Sequence, residues 1–280
     1  MAKILVVGCG DVGSGVAMVM QERGHQVVAL KRQPFSQPTP FSLVTADIRQ
    51  PLSLKVLPGD FDLVLFIVSP DGRQPEAYQA LYETGLENLL SHFAFYGRQP
   101  RWFMVSSTSV YAQNHGEWVD ESSVTQPVNP TSLILHRAEQ RLWKSDPQHC
   151  VVRFSGIYGP GRDWLIRRAT QREPIQQQPP SYTNRIHRDD CVAVLVFLME
   201  KYLAGICLES CYLASDHEPA PLWDVMNWIA EQYQLPHPVP LSTPDHNNQN
   251  KRCNNARLVA LGYRFLYAGY RDGYNKSYRK

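Results

Sequence analysis

Long apolar runs are missing from this chain, and so is any large excess of charge. No stretch approaches the length of a membrane span, and the opening run Lys3–Val7 is too short for a signal-peptide core. Lys and Arg number 28 against 26 Asp and Glu, a net charge of +2, which gives no electrostatic footprint for nucleic acid or an anionic membrane. The six cysteines (Cys9, Cys150, Cys191, Cys207, Cys211 and Cys253) include no C-x-x-C pair. Reduced thiols in a cytoplasmic protein are therefore expected. Cys207, Cys211 and His217 could be drawn as a metal site, but residues 206–213 read as a strand with buried thiols, so no metal is expected. There is no internal repeat. The run Gln176-Gln177-Gln178 is a loop signal, and the basic end from Arg271 to Lys280 reads as a frayed tail.

What the chain does have is concentrated at its start. The branched apolar run Lys3–Val7 leads into Gly8-Cys9-Gly10-Asp11-Val12-Gly13, then a helical pattern to Arg23, Gly24, and a second apolar run at 26–30. A buried strand, a G-x-G-x-x-G turn and a helix in that order suit a dinucleotide pyrophosphate. Gly8 permits the tight turn, Gly10 lets the backbone approach the phosphates, and Gly13 lets helix and strand pack closely. The amides of Asp11 and Val12 then face the negative charge at the helix N-terminus.

Further strands are expected at 42–45, 63–68, 102–105, 150–154 and 206–213, and helices at 12–23, 52–56, 74–96, 130–144, 189–202, 221–234 and 257–263. Strands alternating with helices predict an α/β fold, a doubly wound parallel-sheet Rossmann domain. Residues 1–161 and 189–216 make up that domain. Residues 162–188, rich in Pro, Gln and Arg and read as loop, join 217–280 in a smaller C-terminal substrate lobe. Residues 236–250 also read as loop.

The end of the second strand is where the cofactor is chosen. A carboxylate there would select NAD; the sequence has Leu30-Lys31-Arg32 with no acid nearby. Lys31 and Arg32 can neutralise a 2′-phosphate, so NADP is expected, with NAD the alternative. Asp47 either receives the adenine amino group or caps a turn, and Ile48 and Ser69 belong to the same cleft. Asn88 ties its helix to the cofactor loop or to backbone. The fifth strand ends in Ser106-Ser107-Thr108-Ser109-Val110-Tyr111, hydroxyls at the edge where ligands bind in this architecture.

Four ordered blocks make the likeness specific: the glycine turn; Ser106 to Tyr111; Arg153-Phe154-Ser155-Gly156-Ile157-Tyr158-Gly159-Pro160-Gly161; and Asn184-Arg185-Ile186-His187-Arg188-Asp189-Asp190. Across nearly its whole length the chain resembles the extended short-chain dehydrogenase/reductase superfamily, in particular its NAD-dependent epimerase/dehydratase family of nucleotide-sugar enzymes. The resemblance implies a Tyr-x-x-x-Lys pair on one helix face beside the nicotinamide, with a Ser or Thr from the fifth strand, here Ser107. The lysine lowers the tyrosine pKa, and the tyrosine takes the substrate's hydroxyl proton.

The chain departs from that pattern at this helix. Aligned through Ala138-Glu139-Gln140, the tyrosine position is Thr131 and the lysine position Leu135, and there is no tyrosine from Ala112 to Arg153. Ser132 with His136, or Leu133 with Arg137, are the substitute registers. His136 is either a base or a surface residue, and Arg137 could grip the ribose but not deprotonate anything. The resemblance also places Thr108, Tyr158, Arg162, Arg185 and His187 on the substrate side. Arg162, Arg167, Arg168, Arg172, Arg185 and Arg188 form either a phosphate-binding entry or a solvated basic loop. Asp189 is read as the cap of the helix that follows.

The expectation is an NAD(P)-dependent oxidoreductase, epimerase or dehydratase acting on a nucleotide sugar or similar hydroxyl compound. The alternative is a non-catalytic NAD(P)(H)-binding sensor. Beyond a small-molecule substrate, no nucleic-acid or membrane partner is expected, and the helices at 74–96 and 130–144 could pair with their copies in a homodimer.

Overall fold

Apolar β-branched residues set the centre of the fold. A computed structural model describes residues 1–97, 99–241 and 249–275. The expected 236–250 loop lies partly outside the described residues, as do Lys276, Arg279 and Lys280 of the tail. In chain order the first elements are β1 Lys3–Val7, α1 Asp11–Glu22, β2 Gln26–Lys31, β3 Ser42–Thr45, a short 3-10 turn Pro51–Val56 and β4 Leu63–Phe66. Next come α2 Pro75–Tyr78, a π-helical stretch Gln79–Gly85, α3 Leu86–Phe95, β5 Arg101–Ser107, β6 Glu117–Val119 and α4 Pro130–Ser145. The remainder is β7 Cys150–Phe154, β8 Gly156–Tyr158, α5 Trp164–Gln171, β9 Tyr182–Thr183, β10 Arg185–His187 and α6 Arg188–Leu203. After these follow β11 Cys211–Ala214, β12 Ala220–Pro221, α7 Leu222–Tyr233, β13 Lys251–Cys253, α8 Ala256–Ala260 and α9 Tyr270–Gly273.

A seven-stranded sheet runs β11-β7-β5-β4-β1-β2-β3. β1 pairs in parallel with both β2 and β4, β2 with β3, and β4 with β5. Ile4 to Val7 and Leu63 to Phe66 are fully buried, as expected for strands covered on both faces. This is the doubly wound α/β fold expected from the sequence. Chain order reverses direction between β1 and β4, and such switch points are where this architecture opens a crevice for ligands.

The chain divides into two compact units. The first holds Met1–Val110, Gln126–Arg153 and Val192–Tyr212. Its core centres on Trp102, whose ring meets Phe66 at 6.3 Å and Phe93 at 5.9 Å. It also encloses an ion pair: Arg153, 3% exposed, donates to both oxygens of Glu139, 0% exposed, at 3.0 and 2.7 Å. The second unit holds Tyr111–Thr125, Phe154–Cys191 and the chain from Leu213 onward. Three small sheets organise it: β8 with β10 and β6 with β13 in parallel, and β9 with β12 antiparallel. Tyr158, Ile175, Met226, Ile229 and Tyr270 are among its core.

Three expectations need correction. The chain is not frayed from Arg271, because Tyr270–Gly273 forms α9, Tyr274 is buried and Arg271 pairs with Glu218. The region 162–188 is not all loop, because Trp164–Gln171 forms α5 and buries Leu165 and Ala169. The strand expected at 206–213 begins only at Cys211; Ile206 is 44% exposed and Cys207 is an exposed thiol, not a buried one. Removing one partner of the Arg153–Glu139 pair strands a charge in the core. Arg153→Met should therefore cost about 3–5 kcal/mol, and Arg153→Met with Glu139→Leu much less, as measured by urea unfolding.

Candidate active site

The crevice at the switch point is built by close backbone approach. Gly8 has φ +88°, and a Cβ there would lie 2.2 Å from the Ile67 carbonyl oxygen. A Cβ on Gly13 would meet the Gly8 carbonyl oxygen at 2.7 Å, whereas one on Gly10 would meet nothing within 4 Å. Gly8 and Gly13 are thus required by packing, and Gly10 borders open space, the pattern a phosphate-cradling turn needs. The amide of Ser14 bonds the Gly10 carbonyl at 2.8 Å and starts α1. With Asp11 and Val12 its first residues, the helix N-terminus faces that space.

The other residues expected at the cofactor lie at the carboxyl ends of neighbouring parallel strands. Lys31 ends β2 and Arg32 follows it, Asp47 and Ile48 follow β3, and the exposed Ser69 follows β4. Lys31 Nζ sits 4.0 Å over the Phe35 ring. Arg32 meets an acid after all, donating to Asp71 at 2.6 Å. Asp47 accepts a fork from Arg49, at 2.9 and 3.1 Å from Nε and 2.6 Å from the terminal nitrogen, which holds its carboxyl below the usual carboxylate range. Asn88 donates to the Ile48 carbonyl at 2.8 Å, which ties α3 to this rim.

β5 ends at Ser107, whose Oγ accepts the Ser109 amide at 3.1 Å; its hydroxyl proton remains to be given to a ligand oxygen. Thr108 beside it is 8% exposed. On α4, Thr131 is half-buried and its hydroxyl turns back to the cap, donating to Asn129 at 2.7 Å, while Leu135 is buried. Neither side chain supplies an acid or a base. Ser132 is buried on the same helix, and His136 is half-buried, with Nε2 at 3.5 Å from Gln140 Nε2. Arg137 donates to Glu83 at 2.7 Å, and Arg141 forks onto Glu87 one turn further on.

Of the residues placed on the substrate side, Thr108 belongs to the first unit and Tyr158, Arg162, Arg185 and His187 to the second, where most have structural partners. Tyr158 is 3% exposed and donates to the Gly269 carbonyl at 3.3 Å; burial pushes its phenol well up. His187 packs edge-on to Tyr158 and stacks on Tyr267 at 3.7 Å. Its Nδ1 accepts the Asp189 amide at 3.2 Å, so His187, not Asp189, caps α6. Burial lowers its pKa, consistent with a neutral ring. The Arg162 amide bonds the Gly159 carbonyl at 3.0 Å. Arg185 is buried over the Tyr270 ring and donates to Thr183 Oγ1 and the Glu218 carbonyl. Arg168 pairs with Glu173 and Arg188 with Asp189, so two of the six arginines of the basic entry are neutralised locally.

Two buried charges in this unit went unread in the sequence. Asp216 is 0% exposed, with Oδ1 accepting the Glu218 amide and Oδ2 without a hydrogen-bond partner. Lys251 is 5% exposed and donates to the Tyr111 carbonyl and Gln249, and burial lowers its pKa to about 8. The polar break Ser215-Asp216-His217 after an apolar strand was the available signal for Asp216; nothing local marks Lys251. Among the described residues no cluster of His, Cys, Asp or Glu could hold a metal ion.

A parallel sheet in this order, with the glycine turn at its switch point, defines a Rossmann-type α/β protein. The chain belongs to the NAD dependent epimerase/dehydratase family, whose model matches residues 4–207. It is similar to a protein from Methylobacillus flagellatus provisionally assigned as an NAD-dependent epimerase/dehydratase. That structure has a TM-score of 0.82 and 32% identity over 98% of this chain and 96% of that one. The UDP-glucuronic acid 4-epimerase of Bacillus cereus, solved in complex with NAD, shares the fold at a TM-score of 0.77 and 18% identity, covering 97% and 95% of the two chains. The 3-diazoavenalumate denitrifying reductase of a Streptomyces species is 24% identical over 306 residues, covering 97% of this chain and 98% of that protein.

Burial pushes the Asp216 carboxyl up to about 7 against the pull of Arg185, with Glu218 and Asp190 adding to the rise. In the unfolded chain it titrates near 3.8, so between the two values the folded state keeps a proton the unfolded state has lost. Its stability contribution is full below 3.8, falls as pH rises, and is flat above about 7. Thermal unfolding across this range should show that slope in the wild type and lose it in Asp216→Asn.

Proposed function

We propose that this protein is an NAD(P)-dependent oxidoreductase acting on a nucleotide sugar or similar hydroxyl or carbonyl compound, and that it works in the reductive direction. The single observation that carries the reading is the cradle at the switch point, where Gly8 and Gly13 are forced by packing and Gly10 borders open space. Asp11, Val12 and the Gly10 backbone would hold the pyrophosphate, and Arg32 would admit NADP. A nicotinamide bound there supplies hydride exchange with a substrate carbon.

In either direction a proton must move between the substrate oxygen and an acid or base, and neither Thr131 nor Leu135 supplies one. In reduction Ser107 would bond the substrate oxygen and water would deliver the proton. Ser132 and His136 are the supporting polar groups on α4. Likeness to a reductase along nearly the full length supports this direction. The likeness to a UDP-sugar epimerase supports a nucleotide-sugar substrate.

A second reading, a non-catalytic NAD(P)(H) sensor, is favoured by one observation: the buried Leu135 where the family places a lysine.

Calorimetry should give saturable binding of NADP or NAD with Kd in the range of roughly 1 μM–1 mM. Oxidation of the reduced cofactor, followed by absorbance across a panel of sugar nucleotides and simple carbonyl compounds, should find turnover that Ser107→Ala lowers about a hundredfold. Binding without turnover across the panel would support the sensor, and no binding would end both readings.

A further inference from the structure

The rim of the cofactor crevice holds a contact that the local sequence conceals. Arg32 follows β2, and Asp71 lies in the segment between β4 and α2. Their side chains meet at 2.6 Å while remaining 41% and 67% exposed. Beside them the Arg49–Asp47 pair is closed on itself by a fork, and Lys31 is set over Phe35. Arg32 and Asp71 are thus the pair at this rim joined by a single exposed contact.

In Rossmann crevices a carboxylate at the end of the second strand bonds the ribose 2′-hydroxyl of NAD, and an arginine there accommodates the 2′-phosphate of NADP. Here the strand supplies the arginine, and a different loop brings the carboxylate to the same point. We propose that Arg32 and Asp71 form a two-way selector for the ribose 2′ position, through which the protein accepts both nucleotides. Arg32 leaves Asp71 to fork onto the 2′-phosphate of NADP; Asp71 turns to the 2′-hydroxyl of NAD. This rests on the reading of the crevice as a pyridine-nucleotide site.

The energetics favour exchange. An exposed ion pair of this kind contributes little and opens readily. A phosphate monoester carries more charge than a carboxylate and gives guanidinium a stronger bidentate partner, so NADP can displace Asp71. The displaced carboxylate then stands beside the phosphate and weakens NADP through like-charge repulsion. With NAD that repulsion is absent, and the carboxylate gains a hydroxyl to accept from.

The test is calorimetric titration of NAD and NADP into the wild type, Asp71→Asn and Arg32→Gln, with thermal unfolding confirming that the exposed substitutions leave the fold intact. The wild type should bind both nucleotides. The ratio of Kd for NAD to Kd for NADP should rise about tenfold in Asp71→Asn and fall about tenfold in Arg32→Gln. Ratios within about twofold of the wild type in both variants, or a shift in only one of them, would overturn the paired selector while leaving the crevice a cofactor site. A wild type that binds neither nucleotide would overturn the cofactor reading itself, and the selector with it.

Discussion

The closeness of the Gly8 backbone to the carbonyl of Ile67 is the constraint on which the cofactor end of this protein depends. The two meet because β1 and β4 are neighbours in register, and the Ile67 amide continues the ladder onto the Val7 carbonyl at 2.9 Å. That register leaves no room for a side chain on Gly8, and the resulting turn places the Gly8 carbonyl where it excludes one on Gly13. Helix α1 must then begin close against the sheet with its amides directed into the crevice. A sheet register, two forbidden methyl groups and a helix start are therefore one feature seen at three scales.

The same sheet carries the hydroxyls of β5 to the crevice edge, but the helix that would complete a dehydrogenase site has been given other work. Pro130 and Asn129 open α4, and the Asn129 side chain takes both the amide and the hydroxyl of Thr131. Four residues later Leu135 packs in the core. Charged groups on the opposite side of the helix are committed to Glu83 and Glu87. The protein has a glycine turn of the shape that suits a dinucleotide, and on α4 neither the tyrosine nor the lysine that the resemblance implied.

Legibility from sequence followed the range of the forces involved. Strands such as β1 and β7 were readable to the residue because buried parallel strands are mostly apolar runs. The glycine turn was readable because its steric demands are local. α5 was hidden by Pro, Gln and Arg around a short helix that buries only Leu165 and Ala169. β6 and β13, three residues each, exist only through pairing across more than a hundred residues of chain, which no window detects. Asp71 illustrates the same limit at the site: scanning near Arg32 finds no acid, yet folding brings one to hydrogen-bond distance. Tyr158, Arg185 and His187 were expected on the substrate side, but much of their polarity is spent on backbone carbonyls, a helix cap and neighbouring side chains.

The two compact units are interleaved along the chain, each assembled from three separate stretches. Neither can therefore be encoded by an uninterrupted piece of gene. A ribosome that has released the first unit's opening stretch through Val110 must still synthesise as far as Tyr212 before that unit has all its parts, and by then two stretches of the second have also emerged. Recombination that swaps the crevice of one relative for that of another would have to exchange the pieces in register, so inheritance of the two halves is expected to be joint rather than modular.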